Sequence, residues 1–315
     1  MVINNIAPVA SINLISGALE EGSALLFEAD LNNDAVDVDR HTFQWRVEKD
    51  GAEYSVTSES DAASFGFTPD DNGSYEVFVE VSDGEATVTS SQVFVVENVA
   101  PSVTNVNVTS GNEGEPVQLT ADVFDQGTMD ELVAQIDWDG DGVFDETISL
   151  SAGALEHVYL DDSNAGLGGL FNVSVEISDG VDSTTATTSA DIENVLPSNL
   201  NAGGPYTIGE GNDLTLNGSA DDVQGDQLDL QFFWEIDAGD GNGYQLVAGP
   251  DAGFPATGQN GSNAVVTWQQ LVALGIDDGP SQFNLRMRVV DDGGDVDYPT
   301  DSTVVTVENL SLIHI

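Results

Sequence analysis

The chain has 315 residues, of which 56 are acidic and 5 basic, for a formal charge of -51. A surface so negative repels polyanions, which argues against nucleic acid and anionic membranes as partners and leaves cations, as screening salt or as bound divalent ions. There is no cysteine, hence no disulfide, thiolate metal site or cysteine nucleophile. The 40% of hydrophobic residues is enough for folded cores that carry this charge on their surfaces.

In chain order, Met1-Val2-Ile3-Asn4 leads into the first repeat without a signal-peptide core, so the segment reads as an excerpt of a longer protein. No apolar run approaches the roughly 18 residues of a membrane span, so no membrane insertion is expected. A junction phrase then recurs: Asn5-Ile6-Ala7-Pro8, Asn98-Val99-Ala100-Pro101, Asn194-Val195-Leu196-Pro197 and Asn309-Leu310. The asparagines stand 93, 96 and 115 residues apart, a period that marks a tandem array of domain-sized units. The units are read as 1–98, 99–194 and 195–309, the last enlarged by an insertion around Gly249–Gly275 in which Trp268-Gln269-Gln270-Leu271 is expected to make one helical turn. Residues 310–315, including Ser311-Leu312-Ile313-His314-Ile315, depart from the repeat and read as a tail foreign to the fold.

Each unit repeats the same strand signals. Glu-Gly at Glu21-Gly22, Glu113-Gly114 and Glu210-Gly211 precedes the apolar pairs Leu25/Phe27, Val117/Leu119 and Leu214/Leu216. An aromatic-rich strand follows, with Trp45, Trp138 or Phe233-Trp234, and ends in the Asp-Gly turns at Asp50-Gly51, Asp141-Gly142 and Asp240-Gly241. Next comes strict alternation: Tyr75, Val77, Val79, Val81; Phe171, Val173, Val175, Ile177; Phe283, Leu285, Met287, Val289. Asp83, Asp179 and Asp291 stand eight residues after the leading aromatic. A closing strand ends each unit at Phe94/Val96, Ala190/Ile192 and Val305/Val307. Many short strands, Gly-Asp turns and no sustained helical period predict an all-β chain of three seven-stranded sandwiches in an extended array, each with a buried tryptophan on its third strand.

The order Asn-x-Ala-Pro, Glu-Gly, Trp to Asp-Gly, His157-x-Tyr159-x-Asp161 or Phe65-x-Phe67, then aromatic-x-Val-x-Val-x-Val-Ser-Asp-Gly resembles polycystic-kidney-disease (PKD) repeats. The resemblance covers nearly the whole chain to Asn309. It implies immunoglobulin-like sandwiches that serve as non-catalytic spacers or binding modules in large secreted and surface proteins, and calcium bound through the starting asparagine and the aspartates of two turns. Unit one departs from it at Glu48-Lys49-Asp50-Gly51.

Tracing such a sandwich as an up-and-down path brings Asn98, Asp125 and Asp179 to one end, and Asn194, Asp222 and Asp291 to the equivalent end of the next unit. Glu113, the Asp137–Asp145 turn and Asp161/Asp162 are expected at the opposite end of unit two. Each junction then becomes a ring of carboxylates and amides, where a hard cation with six to eight oxygen ligands would relieve the repulsion. Ca2+ is therefore the expected cofactor, at one or both junctions; the competing reading is that Asp and Asn are good turn residues in a protein adapted to salty water. A second metal candidate is Asp137-x-Asp139-x-Asp141-Gly142-Val143-x-Asp145, which copies positions one, three, five, six and nine of a calcium loop. Ile148 occupies position twelve, so the bidentate carboxylate is missing and a structural turn is the alternative.

Catalysis finds little support. The three histidines are His41, His157 and His314, and no P-loop, G-x-S-x-G or H-E-x-x-H pattern occurs. Three functions compete: spacer repeats of a secreted or surface-anchored bacterial protein, whose partners are neighbouring repeats; a module that binds surface glycan or protein, with the outward Phe78 as its main aromatic; and accessory repeats of a secreted hydrolase.

Overall fold

A computed structural model describes residues 6–31, 40–56, 62–150, 155–162, 169–250, 256–257, 261–291 and 298–309. Asn5, the start of the chain and the tail 310–315 with His314 lie outside the described residues. Three strand sets follow one another. The first contains β1 (Ala10–Ser16), β2 (Leu25–Leu31), β3 (Thr42–Lys49), β4 (Ala52–Tyr54), β5 (Ser64–Phe67), β6 (Gly73–Ser82) and β7 (Thr87–Val96). These seven strands form sheets β1-β2-β5 and β4-β3-β6-β7. The second set contains β8 (Ser102–Val108), β9 (Gly111–Asn112), β10 (Pro116–Phe124), β11 (Val133–Asp137), β12 (Glu146–Ser149), β13 (Leu155–Val158), β14 (Leu170–Ser178) and β15 (Ser183–Glu193). Its sheets are β13-β10-β8 and β12-β11-β14-β15-β9.

The third set contains β16 (Ser198–Asn201), β17 (Tyr206–Gly209), β18 (Leu214–Asn217), β19 (Ser219–Asp221), β20 (Gln231–Asp237), β21 (Tyr244–Ala248), β22 (Ala256–Thr257), β23 (Asn263–Val266), α1 (Trp268–Ala273), β24 (Ser281–Val290) and β25 (Thr300–Glu308). Its sheets are β16-β19, β18-β23-β22 and β17-β25-β24-β20-β21. The fold is thus all-β, of tandem immunoglobulin-like sandwiches, with α1 the one α-helix among the described residues. That helix is started by a capping box in which Thr267 and Gln270 satisfy each other's backbone N–H groups, and it buries Leu271.

The chain divides into two compact units, one of Met1–Asn107, Thr120–Gly153 and Val173–Thr188, the other of Val108–Leu119, Ala154–Asn172 and Ser189–Ile315. In the first, β6 pairs with β3 and β7 along its length, so Tyr75, Val77, Val79 and Val81 point inward against Phe27, Trp45 and Phe65. The alternation works because successive strand side chains face opposite sides, so every second residue enters the core. Asp50 and Gly51 both have positive φ and close the β3–β4 hairpin, a turn that an Asp-Gly pair makes with little strain. The same unit contains the β11–β12 and β11–β14 ladders, with Ala134, Ile136 and Trp138 buried.

In the second unit Trp234, Ile236, Leu285, Met287 and Val305 form the centre of one core, and Trp234 Nε1 donates to Gly261 O at 2.9 Å. Here β17 pairs in parallel with β25, and β9 with the end of β15. In the first unit a parallel bridge, Glu20 to Glu97, takes that place. These parallel contacts set up the junctions, because each brings a Glu-Gly turn beside the last residues of its own strand set.

Candidate metal centre

The Glu-Gly turns are built alike. The N–H groups of Glu21, Glu113 and Glu210 donate to the carbonyls of Glu97, Glu193 and Glu308, each at 3.1 Å. The following glycines, Gly22, Gly114 and Gly211, have φ of 67, 75 and 84°, a left-handed conformation that glycine adopts without the Cβ clash other residues suffer. Gly22 N–H donates to Pro69 O, and Gly114 N–H to Tyr159 O. The turn therefore clamps the end of a strand set and aims the glutamate at the junction. Glu21 Oε1 accepts from Val99 N–H and Glu113 Oε1 from Val195 N–H, both at 2.7 Å. Glu21 and Glu113 are 0% and 1% exposed.

At the first junction, which lies within the first compact unit, Asn98 Nδ2 donates to Asp179 Oδ2 and Asp182 Oδ2, both at 2.9 Å. Asp179 Oδ1 in turn accepts from Val181 and Asp182 N–H, in the Asx turn that the Ser-Asp-Gly sequence predicts. Burial works against the ionised form of Asp179, yet these hydrogen bonds, led by that of Asn98, outweigh it and hold the carboxyl below its usual range. Asp125 Oδ1 accepts from Gly127 N–H. Oxygens of Asp125, Asp130 and Asp179 lie within 4.8 Å of one another, as do oxygens of Glu21, Asp71 and Asp130. Among the described residues, Glu21 Oε2, Asn98 Oδ1, Asp125 Oδ2 and Asp130 Oδ2 are buried with no hydrogen-bond partner. Burial, followed by the charges of Glu21, Asp71, Asp125 and Asp179, pushes the Asp130 carboxyl up to about 6.

The second junction lies within the second unit. Glu113 Oε2 accepts from Asp162 N–H at 2.8 Å, and oxygens of Glu113, Asp161 and Asp162 group within 4.8 Å. Burial raises the Glu113 carboxyl against hydrogen bonds from Val195, Asp162 and the side chain of Asp226, itself 1% exposed. Asn194 Nδ2 donates to Asp291 Oδ2 at 3.3 Å, so those two of the sequence-selected residues meet. Asp222 Oδ1 accepts from its neighbour Val223 N–H, and neither Asp222 nor Asp291 joins a group of three carboxylates among the described residues.

The acidic turn after β11 forms its own group of Asp137, Asp139 and Asp145. Asp137, 5% exposed, accepts from Gly140 and Gly142 N–H, and Asp145 Oδ2 from Trp138 N–H. Asp141 stays outside the group and accepts from Val143 N–H. These bonds hold the turn's backbone, while Asp137, Asp139 and Asp145 still bring three carboxylates together. His157 packs edge-on to Tyr159 with centroids 4.6 Å apart. Phe78 is half-buried under the Arg46 guanidinium, 3.4 Å from its ring centre.

Sequence reasoning selected Asn98, Asp125 and Asp179 but passed over Glu21, Asp71 and Asp130. Glu21 was visible as a strand marker; that its carboxylate turns into the junction follows only from the parallel contact beside Glu97. The arrangement as a whole, oxygen donors only, part amide and part carboxylate, suits a hard divalent cation.

Residues 4–96, less than a third of the chain, match the family model described as Bacterial Ig domain. Among solved structures the chain is similar to the three N-terminal domains of the highly immunogenic outer capsid protein of bacteriophage RB49, at 16% identity over 96% of this chain and 99% of that one, with a TM-score of 0.31. It is also similar to extracellular domains 3–5 of Drosophila OTK, at 13% identity over 96% and 100% with a TM-score of 0.31. A three-immunoglobulin-domain stretch of titin is 12% identical over 98% and 100%, with a TM-score of 0.36. No curated protein matches the chain. No helix among the described residues is long and apolar enough to cross a membrane.

Proposed function

We propose that this chain is a non-catalytic spacer: PKD-like immunoglobulin modules of a large bacterial secreted or cell-surface protein, with junctions stiffened by Ca2+. One observation carries the reading. Four buried oxygens at the first junction, from Glu21, Asn98, Asp125 and Asp130, have no hydrogen-bond partner among the described residues, although a buried polar group left so costs about 1–3 kcal/mol. Two ionised carboxylates whose oxygens lie within 4.8 Å of each other repel by at least about 3.5 kcal/mol at an effective dielectric of about 20. A cation with oxygen ligands at about 2.3–2.6 Å would remove both penalties at once.

The bacterial immunoglobulin match of residues 4–96 supports placement outside the cell, where calcium is plentiful enough to fill sites of modest affinity. Neighbouring modules are the partners, and the negative surface keeps copies soluble and apart. Calorimetric titration of the full chain with Ca2+ should give heat and raise the melting temperature, by RT ln(1 + [L]/Kd) at equilibrium. Small-angle scattering should show the maximum dimension changing on chelation. Absence of both heat and a melting shift would remove the reading.

A further inference from the structure

We propose that the first junction takes two divalent cations, one held by Glu21, Asp71 and Asp130, the other by Asn98, Asp125, Asp179 and Asp130, with the Asp130 carboxylate bridging them. The proposal rests on the reading of the junction as a calcium site and adds a compartment beyond the residues selected from the sequence. Among the described residues the junction's carboxylates form two separate groups, the oxygens of each within 4.8 Å of one another, and Asp130 is their one shared member. Ligands around a single ion at about 2.3–2.6 Å lie at most about 5.2 Å apart. Each group fits that limit by itself, whereas Glu21 and Asp71 do not merge with Asp125 and Asp179 into one group.

The orphaned oxygens divide in the same way. Glu21 Oε2 and Asp130 Oδ2 both face Gly127, on the side of the first group, while Asn98 Oδ1 and Asp125 Oδ2 belong to residues assigned to the second. Glu21 is the independent observation: 0% exposed, anchored through Oε1 to Val99 N–H, with its other oxygen facing the cage and no donor there. Charge balance agrees. Glu21, Asp71, Asp125, Asp130, Asp179 and, beside Asn98, Asp182 bring six negative charges, against which Lys49, paired with Asp71, supplies one positive. One divalent ion leaves three of these charges uncompensated, while two ions leave one. Gly127 lets the carboxylates of the first compartment close against the backbone, since a Cβ there would stand 2.0 Å from Asp130 Oδ2 and 2.7 Å from Glu21 Oε2. A cleft of about 330 Å3 lined by Gly22, Pro69, Asp70, Phe124, Asp125 and Gln126 opens at the same place and offers an entry path.

The test is the number of Ca2+ ions held by the full chain, counted by native mass spectrometry and by calorimetry, with circular dichroism in chelator as the check on folding. Asp71→Asn and Asp125→Asn should each lose one ion, Asp130→Asn two, and Gly127→Ala the one held by Glu21. If Asp130→Asn loses a single ion, or Asp71→Asn none, the two-ion arrangement is wrong while calcium binding stands. If the unmodified chain binds none, the underlying reading falls as well. Should Asp130→Asn fail to fold, the double variant Asp71→Asn/Asp125→Asn replaces it, with a loss of two ions supporting the proposal and a loss of one overturning it.

Discussion

Replacing Glu21 by glutamine separates its structural role from its electrostatic one. The side chain keeps its shape and the acceptor for Val99 N–H, but the charge beside Asp71 and Asp130 disappears. Each of those carboxylates offers an oxygen within 4.8 Å, a repulsion of about 3.5 kcal/mol per fully ionised pair at a dielectric of about 20. Both neighbours are partly open to solvent, and screening brings the net relief to about 1–2 kcal/mol. In chelator, then, Glu21→Gln should melt several degrees higher than the unmodified chain. In saturating Ca2+ that advantage should shrink to near zero, because one ion has lost a carboxylate ligand and an affinity loss of about tenfold removes about 1.4 kcal/mol. Thermal unfolding followed by circular dichroism in both conditions reads this loss of advantage directly. A variant that melts lower by the same amount in chelator and in Ca2+ would refute the argument, because Glu21 would then be no more than a partner for a backbone N–H.

Three further outcomes are expected. Trp234→Ala, which empties the centre of the third core and strips Gly261 O of its donor, should cost about 3–5 kcal/mol in denaturant unfolding, equally with and without Ca2+. Asp141→Ala should leave the Ca2+ stoichiometry unchanged by calorimetry, since Asp141 lies outside the Asp137 group; a lost ion would assign metal to that turn. Burial, followed by Asp70, pushes the Tyr54 hydroxyl up to about 12, and burial followed by the Tyr54 and Asp70 charges raises Tyr75 still further. Folded values above the unfolded value of about 10 mean that this stabilisation is complete below pH 10 and is lost as the pH climbs through the raised values. Ultraviolet titration should show Tyr54 and Tyr75 ionising late, until the first sandwich unfolds; their ordinary ionisation near pH 10 in the folded chain would contradict it.

How much of this could be read from the residues depends on the range of the interaction. The inward rows Tyr75–Val81 and Phe171–Ile177 and the buried Trp45, Trp138 and Trp234 follow from local alternation, and burial of those side chains matches it. Helix α1 was legible for the same reason, since Thr267 and Gln270 cap it across three residues. The short parallel pairs β9–β15 and β17–β25 were not: they join residues roughly a hundred positions apart, and strands as brief as Gly111–Asn112 carry no period. Asp130 was missed because its spacing from Asp125 differs by one from that of Asp226 from Asp222, so repeat alignment hides their common place. Asp71 looked like an ordinary residue before a strand, and its Lys49 partner comes from a hairpin two turns away.

The Glu-Gly step illustrates why a pattern can be read correctly and still be underestimated. As sequence it marks the approach to a strand, and Leu25, Val117 and Leu214 do begin to bury directly after it. In the fold its backbone N–H holds the carbonyl of the last strand's glutamate, and its side chain reaches the first N–H beyond the junction asparagine at Val99 and Val195. One residue thereby ties the closing strand of a module to the opening residues of the next. At position 113 both carboxylate oxygens accept, from Val195 and Asp162 N–H, which an amide could not do; at position 21 a glutamine could supply both hydrogen bonds, so there the bonds alone do not explain a buried acid. The proposed cation would make the buried Glu21 carboxylate favourable, so the choice of glutamate over glutamine at position 21 is what a cation site would require.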